Sequence, residues 1–219
     1  ARDADDIEEP GEVLICGRGR VGGIIERLVS AAGYKTTVVD YNARQIENLR
    51  AFGIKTYYGD ATRPDLLHAA GIERAKIIVV AIDEEASINT IVSHVVEHHP
   101  HVHIVARARN RHHVYELWSL GCRDIIRETY DSSLRMGRST FEALGYERDV
   151  ASQMVEAFNE SDKEAMIEVA GVYDVNVPAA ENKAYVEKVR EMLGRRTSEL
   201  SDAMDEIRST AQTKASDDR

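Results

Sequence analysis

The sequence predicts an α/β fold: a Rossmann-type doubly wound parallel sheet of about six strands with a C-terminal helical extension. Three observations carry this. Short apolar runs alternate with helical patterns from Gly11 to about Leu144, and strands spaced by helices of this length pair in parallel through right-handed crossovers. The runs are almost continuously apolar, as in "KIIVVAI" (76–82), which means that both faces of the sheet are covered. The first run leads straight into a glycine-rich turn that opens a helix.

The elements follow in order. "EVLIC" (12–16) is a strand, and Arg20 to Ala32 reads as a helix. "KTTVVD" (35–40) is a strand, followed by a helix to about Phe52. A short strand is expected at "KTYY" (55–58) and a short helix over Pro64 to Ala70. The apolar strand at 76–82 precedes a helix from Glu84 to His98, and "HVHIVARA" (101–108) precedes one from Asn110 to Leu120. "RDII" (123–126) and a helix from Asp131 to Leu144 complete the set. Beyond Gly145 the segments 148–170 and 181–210 are charged and helical. Val186, Val189, Leu193, Leu200, Met204 and Ile207 form a narrow apolar stripe on the second, which is expected to pack on its own domain or else to bind a partner. The chain thus divides into an acidic linker (1–10), a Rossmann domain (11–145), a helical extension (146–210) and a disordered tail (211–219).

Composition excludes several classes. With 219 residues, 43% of them hydrophobic and 30% charged, the chain is an ordinary globular protein. No apolar run approaches the roughly 20 residues of a membrane helix, and the acidic start is unlike a secretory signal. Ala1 rather than Met opens the chain and most of the first nine residues are charged, which reads as a linker to a further, membrane-embedded or other, domain. A formal net charge of -10 argues against nucleic acid as the main partner. The charge is uneven, however: between Pro100 and Thr140 there are seven arginines against four acids, a belt suited to an anionic small ligand or an acidic partner, or simply to a solvated surface. Cys16 and Cys122 sit in apolar strands, consistent with a reducing compartment.

The chemistry concentrates at "LICGRGRVGG". Gly17, Gly19 and Gly22 form GxGxxG between a strand and a helix. In this pattern the first glycine permits the tight turn, the second lets a phosphate approach the backbone, and the third lets the helix pack closely. The helix N-terminus around Val21 supplies unpaired N–H groups, and Arg18 and Arg20 add charge-assisted donors. Asp40 ends the next strand, about 20 residues on, where a carboxylate accepts from ribose hydroxyls and repels a 2′-phosphate. Asp60 and Ala61 follow the third strand, and Ile82 and Asp83 the fourth, facing the same crevice; each also reads as an ordinary turn or helix-cap residue. "HVVEH" (94–98) matches a zinc-protease pattern, but it falls in the last turns of a helix at the end opposite the crevice. No metal is expected, and the histidines are given capping and surface roles. No YxxxK pair occurs, which removes the usual short-chain reductase proton relay.

"CGRGRVGG", "VVDYNARQIENLRAFGIKTYYGDATRPDLLHAAG", "VARARN" and "RETYDSSLRMGRSTFEALG" resemble the regulatory nucleotide-binding (KTN/RCK, TrkA-N type) domains of potassium channels and transporters, and most nearly the C-terminal domain of Kef-type glutathione-gated potassium efflux systems. The likeness covers about 11 to 160. It implies a regulatory domain without catalysis, at the cytoplasmic face of the bacterial inner membrane. AMP or NAD(H) would occupy the crevice, with Arg107 of "VARARN" in the nucleotide-binding set. The domain would form a homodimer and gate a membrane antiporter domain of the full-length chain, with a flavodoxin-like quinone oxidoreductase as ancillary subunit. Glutathione or its adducts would bind Arg27 and Arg127 near the dimer interface. The family also uses an Asn in the following helical region; here Asp162 occupies that place and Asn159 stands one turn earlier, so Asn159 is assigned to the ligand. The competing readings are an NAD-dependent oxidoreductase, which lacks a catalytic dyad and a substrate domain, and a potassium-channel gating domain, which would want a β-containing lobe after the Rossmann unit.

Overall fold

The computed structural model describes residues 10–42, 46–47 and 56–217. Six strands form one parallel sheet in the order β3-β2-β1-β4-β5-β6. They are β1 (Val13–Cys16), β2 (Thr36–Asp40), β3 (Tyr57–Tyr58), β4 (Ile77–Val80), β5 (His103–Ala108) and β6 (Asp124–Arg127). The helices between them are α1 (Arg20–Ala31), α2 (Pro64–Ala69), α3 (Glu85–His98) and α4 (Arg111–Ser119). The helix expected up to Phe52 lies almost wholly outside the described residues. This strand order reverses direction between β1 and β4, which opens a crevice above their carboxyl ends.

Alternation along the strands explains the two-sided core. Leu14 and Cys16 of β1, Ile78 and Val80 of β4, and Ala106 and Ala108 of β5 face one side, where Ile88, Ile91, Val92 and Val95 of α3 and Leu117 of α4 cover them. Val13, Ile15, Val38, Val79 and Ala81 face the other, under Val21, Ile25 and Val29 of α1. The register pairs Leu14 with Ile78 and Ile15 with Val79, so each face stays apolar across neighbouring strands. Buried among these side chains, the Cys16 thiol has its pKa pushed up to about 12 and stays protonated.

The chain separates into two compact units, 1–128 and 129–219. The expected boundary at 145 therefore moves back. The helix following β6, α5 (Tyr130–Ala143), belongs with α6 (Arg148–Ala170) and α7 (Lys183–Asp217) of the second unit. None of its residues is buried. Within that unit Ala165 and Val169 of α6 pack on Met192 of α7, flanked by Val172, Tyr185 and Val189. Of the expected stripe, Leu193 is 57% exposed, and its neighbour Met192 is the buried residue instead. Glu168 ties the pair together, with Lys188 Nζ at 2.9 Å, Arg195 Nη2 at 2.8 Å and Arg196 Nη2 at 2.9 Å. Helix α7 runs on through 211–217, where a disordered tail was expected; "AQTKASD" contains neither proline nor glycine to stop it. No described helix is long and apolar enough to cross a membrane.

Candidate functional site

The crevice is built from strand ends. Gly17 follows β1 with φ +92°, and a Cβ there would stand 2.8 Å from Ile82 Cγ2, so only glycine makes the turn without strain. At Gly22 a Cβ would lie 1.8 Å from the Gly17 carbonyl oxygen. The third glycine of the motif is thus required by the turn itself, as well as by the approach of α1 to the sheet. At Gly19, in contrast, a Cβ would meet open space. Gly19 caps α1 with no side-chain hydrogen bond, and the first turn carries no acid. The leading N–H groups of α1, from Arg20 through Gly22, therefore keep their partial positive charge for an anion.

Asp40 closes the opposite wall and is only 8% exposed. Its Oδ2 accepts the backbone N–H of Arg18 at 2.8 Å, and its Oδ1 that of Asn42 at 2.7 Å. The Gly59 N–H donates to its carbonyl at 2.9 Å. A carboxylate has about four lone-pair positions, so two remain free to accept hydroxyls. The glycine turn and Asp40 are thus one hydrogen-bonded assembly on the wall of the crevice.

The structure gathers Gly17, Gly19, Asp40, Asp60, Ala61, Ile82 and Asp83 on this crevice. Tyr41, Asn42, Gly59, Thr62, Glu84, Ser87 and Ile91 also line it, and these the sequence reading missed. For Asn42 a signal existed in its place two residues after Asp40; for Ser87 and Ile91, on the inner face of α3, no local pattern marks a site. Asp60 Oδ1 accepts from both the N–H and the hydroxyl of Thr62, at 2.9 and 2.7 Å, the turn role that was its alternative. Arg20 stands exposed at the start of α1, whereas Val21 packs toward the sheet and offers only its backbone. The other two arginines of the set lie behind the wall. The Arg18 side chain is buried and pairs with Glu26 at 3.1 Å. Arg107, 8% exposed, bridges Asp83 Oδ1 at 2.6 Å and Glu128 Oε1 at 2.5 Å. Burial works against the Arg107 charge, but the hydrogen bonds to Glu128 and Asp83 outweigh it and hold its pKa above the ordinary value.

Arg27 is exposed on α1, where its Nε donates to the Gly23 carbonyl at 3.3 Å. Arg127 ends β6 in register with Ala108, and alternation puts it on the face covered by α3 and α4, opposite α1. One copy of the chain therefore does not bring the two arginines together. In the second unit, Asn159 Oδ1 accepts from the Tyr130 hydroxyl at 3.2 Å, and its Nδ2 donates to Glu156 at 3.1 Å.

The expected surface roles hold for part of the histidine run: His94 and His98 stack at 4.5 Å, and the His98 Nδ1 lies 3.1 Å from the His94 carbonyl. They fail at His113, which is 1% exposed. Its Nδ1 accepts the Arg109 N–H at 3.1 Å, so the proton sits on Nε2, 2.9 Å from Asn89 Oδ1. Burial lowers its pKa and keeps it neutral. Among the described residues, no group of three or more His, Cys, Asp or Glu is placed to hold a metal ion.

The chain is similar to known proteins along most of its length. The TrkA-N domain family matches residues 13–128, and the family described as the potassium efflux system KefB C-terminal domain matches 132–218. The glutathione-regulated potassium-efflux system protein KefC of Klebsiella pneumoniae is 40% identical over 174 residues, which is 78% of this chain and 28% of that protein. The chain thus spans under a third of such relatives. Among solved structures, the Kef C-terminal domain of Shewanella denitrificans in its AMP-bound form is 37% identical with a TM-score of 0.68, covering 74% of this chain and 99% of that one. The GsuK structure bound to ADP is 25% identical with a TM-score of 0.52, over 57% of this chain and 32% of that one. The chain belongs to the TrkA-N family, in the branch formed by the C-terminal regulatory domains of Kef-type potassium-efflux systems.

Proposed function

We propose that the chain is the ligand-binding regulatory domain of a potassium efflux (K+/H+ antiport) system, with an adenine nucleotide, AMP or NAD(H), in its crevice. One observation carries this reading: Asp40, fixed by two backbone N–H groups, faces an uncapped helix N-terminus across the open space at Gly19. The ribose hydroxyls go to Asp40 and the phosphate to the N–H groups of α1. The AMP-bound Kef relative supports the ligand class. In this reading the domain acts by binding, and the crevice groups hold and orient a nucleotide.

A second, anionic ligand is assigned to Arg27, Arg127 and Asn159: glutathione or its adducts, as the name of the KefC relatives suggests. Arginine suits a peptide carboxylate because its planar fork pairs bidentately. Since Arg27 and Arg127 leave opposite faces of one sheet, the ligand is shared between two copies in a homodimer. Met136 and Leu144, each 70% exposed, offer apolar area for that contact. The adduct gates the attached membrane antiporter, at the cytoplasmic face of the inner membrane, only if its affinity differs between the two gating states. A flavodoxin-like quinone oxidoreductase is the proposed ancillary subunit.

AMP and NADH should raise the melting temperature by binding the native state, and NADP much less, because Asp40 repels its 2′-phosphate. Equal stabilisation by NADP would remove Asp40 from the ribose. Calorimetry with glutathione and with an S-conjugate tests the second site. Arg27→Ala and Arg127→Ala should each weaken binding about ten- to a hundredfold, the cost of one charge-assisted contact. Unchanged affinity in both variants would place the ligand elsewhere.

A further inference from the structure

Arg107 is a buried cation placed between two features of different kinds. On one side its Nη1 reaches Asp83 Oδ1 at 2.6 Å and the Ala81 carbonyl at 3.4 Å, at the β4 end of the crevice. On the other its Nη2 reaches Glu128 Oε1 at 2.5 Å. Arg109 reinforces the span, with Nη1 on the Asp83 carbonyl at 2.9 Å and Nε at 3.9 Å from Glu128 Oε2. Two carboxylates from separate strand ends are thus held through one guanidinium.

The two carboxylates differ in freedom. The Asp83 side chain is 78% exposed, and that of Glu128 is 22% exposed. The Arg107 Nε is buried without a hydrogen-bond partner among the described residues, so the guanidinium holds a donor in reserve for a changed arrangement. Glu128 sits in a turn under tension: its N–H donates to the Ala108 carbonyl at 2.6 Å, and the next residue, Thr129, has φ +61°. A β-branched residue in the left-handed region persists only where its surroundings hold it there. The preceding residue is Arg127.

We propose that Arg107 is a coupling residue: it links the nucleotide crevice, through Asp83, to the Arg127–Thr129 turn, through Glu128. An anionic ligand entering near the α1 N-terminus adds negative charge to a crevice that already carries the Asp83 carboxylate, and shifts the balance of Arg107 between its two partners. The strained turn then responds, and with it the strand end that bears Arg127. By linkage the effect is reciprocal, so occupancy at Arg127 alters nucleotide affinity by the same factor. This inference rests on the reading of the crevice as a nucleotide site.

The test is amide hydrogen exchange of the whole chain, free and saturated with AMP, on the native protein and on Arg107→Gln, Arg107→Lys and Asp83→Ala. Each variant is read at its own saturating AMP concentration, so altered affinity does not enter. In the native chain AMP should change exchange at the Glu128 amide by at least about fivefold, the low end of ordinary coupling, and slow the crevice amides as well. In the variants the crevice amides should still respond while Glu128 does not. Lysine is expected to fail alongside glutamine, because an ammonium is a compact charge without the fork that spans two carboxylates. Asp83→Ala removes an exposed side chain and leaves the Arg107–Glu128 pair, so the test stands even if the buried position does not tolerate change. A Glu128 response that survives in Asp83→Ala, or that is missing from a native chain whose crevice amides do respond, overturns the coupling and leaves the nucleotide site intact. No response to AMP anywhere in the native chain overturns both.

Discussion

The sheet unit and the helical unit are held together by different forces. In the first, Leu14, Ile15, Ile78 and Val80 are wholly buried, and the glycine turn is so tight that a single added methyl would collide with backbone. In the second, α5 buries nothing, and the core cluster of α6 and α7 consists of Ala165, Val169 and Met192 beside one carboxylate shared by three cations. Apolar packing, which is indifferent to pH, specifies most of the first unit, with His113 as a buried titratable exception. In the second, the Glu168 cluster adds charge to the packing, and charge can be changed by solvent.

Glycine substitutions should affect the two units differently. Gly22→Ala should destabilise the sheet unit by about 3 kcal/mol or more, at or beyond the usual range for overpacking, because the clash is with the Gly17 carbonyl and cannot be relieved by a rotamer. Urea unfolding measures it, and a loss below about 1 kcal/mol would mean that the turn is looser than described.

Acid separates the units next. Hydrogen bonds from Lys188, Arg196 and Arg195 hold the Glu168 carboxyl at a pKa of about 2, against an ordinary 4.5. A lowered carboxyl pKa means that the native state releases its proton more readily than the unfolded chain does. The associated stability is therefore complete above pH 4.5 and is lost as pH falls toward 2. Helical signal from the second unit should decline in that window, and Glu168→Gln should show the loss already at neutral pH. His113 gives the sheet unit a separate, higher window. Its lowered pKa keeps it neutral in the fold while the unfolded chain takes up a proton below about 6.5, so stability should rise with pH through that value. A His113→Gln variant should flatten this dependence.

The smallest effect sharpens the contrast from the other side. Gly194 lies inside α7, where an added Cβ meets open space. Gly194→Ala should stabilise the helical unit by about 0.5–1 kcal/mol through backbone entropy alone. The same substitution type thus carries opposite signs in the two units.

What could be read from the sequence follows the same division. The strands were legible because their apolar runs need no partner to be recognised, and Gly17, Gly19, Gly22 and Asp40 because a turn and a strand end fix them locally. The positions of Arg107 and His113 were not legible. Arg107 meets Asp83 and Glu128 only once β4, β5 and β6 are in register. His113 lies on a helix beside Arg111 and His112, and is drawn inside by Asn89 of the neighbouring helix. The break at 128 was hidden for a related reason: a helix after a sixth strand has the pattern of another Rossmann crossover, and the absence of buried residues on α5 is a property of packing, not of periodicity.

The reading of the crevice turns on the open space at Gly19, between Asp40 and the start of α1, as the proposed seat of a nucleotide phosphate. Calorimetric titration of AMP into the purified chain and into Gly19→Val tests it most directly. One AMP per native chain and no measurable heat of binding for Gly19→Val are expected, with both proteins showing the same far-UV spectrum, since a Cβ at Gly19 meets open space and the added side chain fills ligand space. Undiminished AMP binding by Gly19→Val would contradict it.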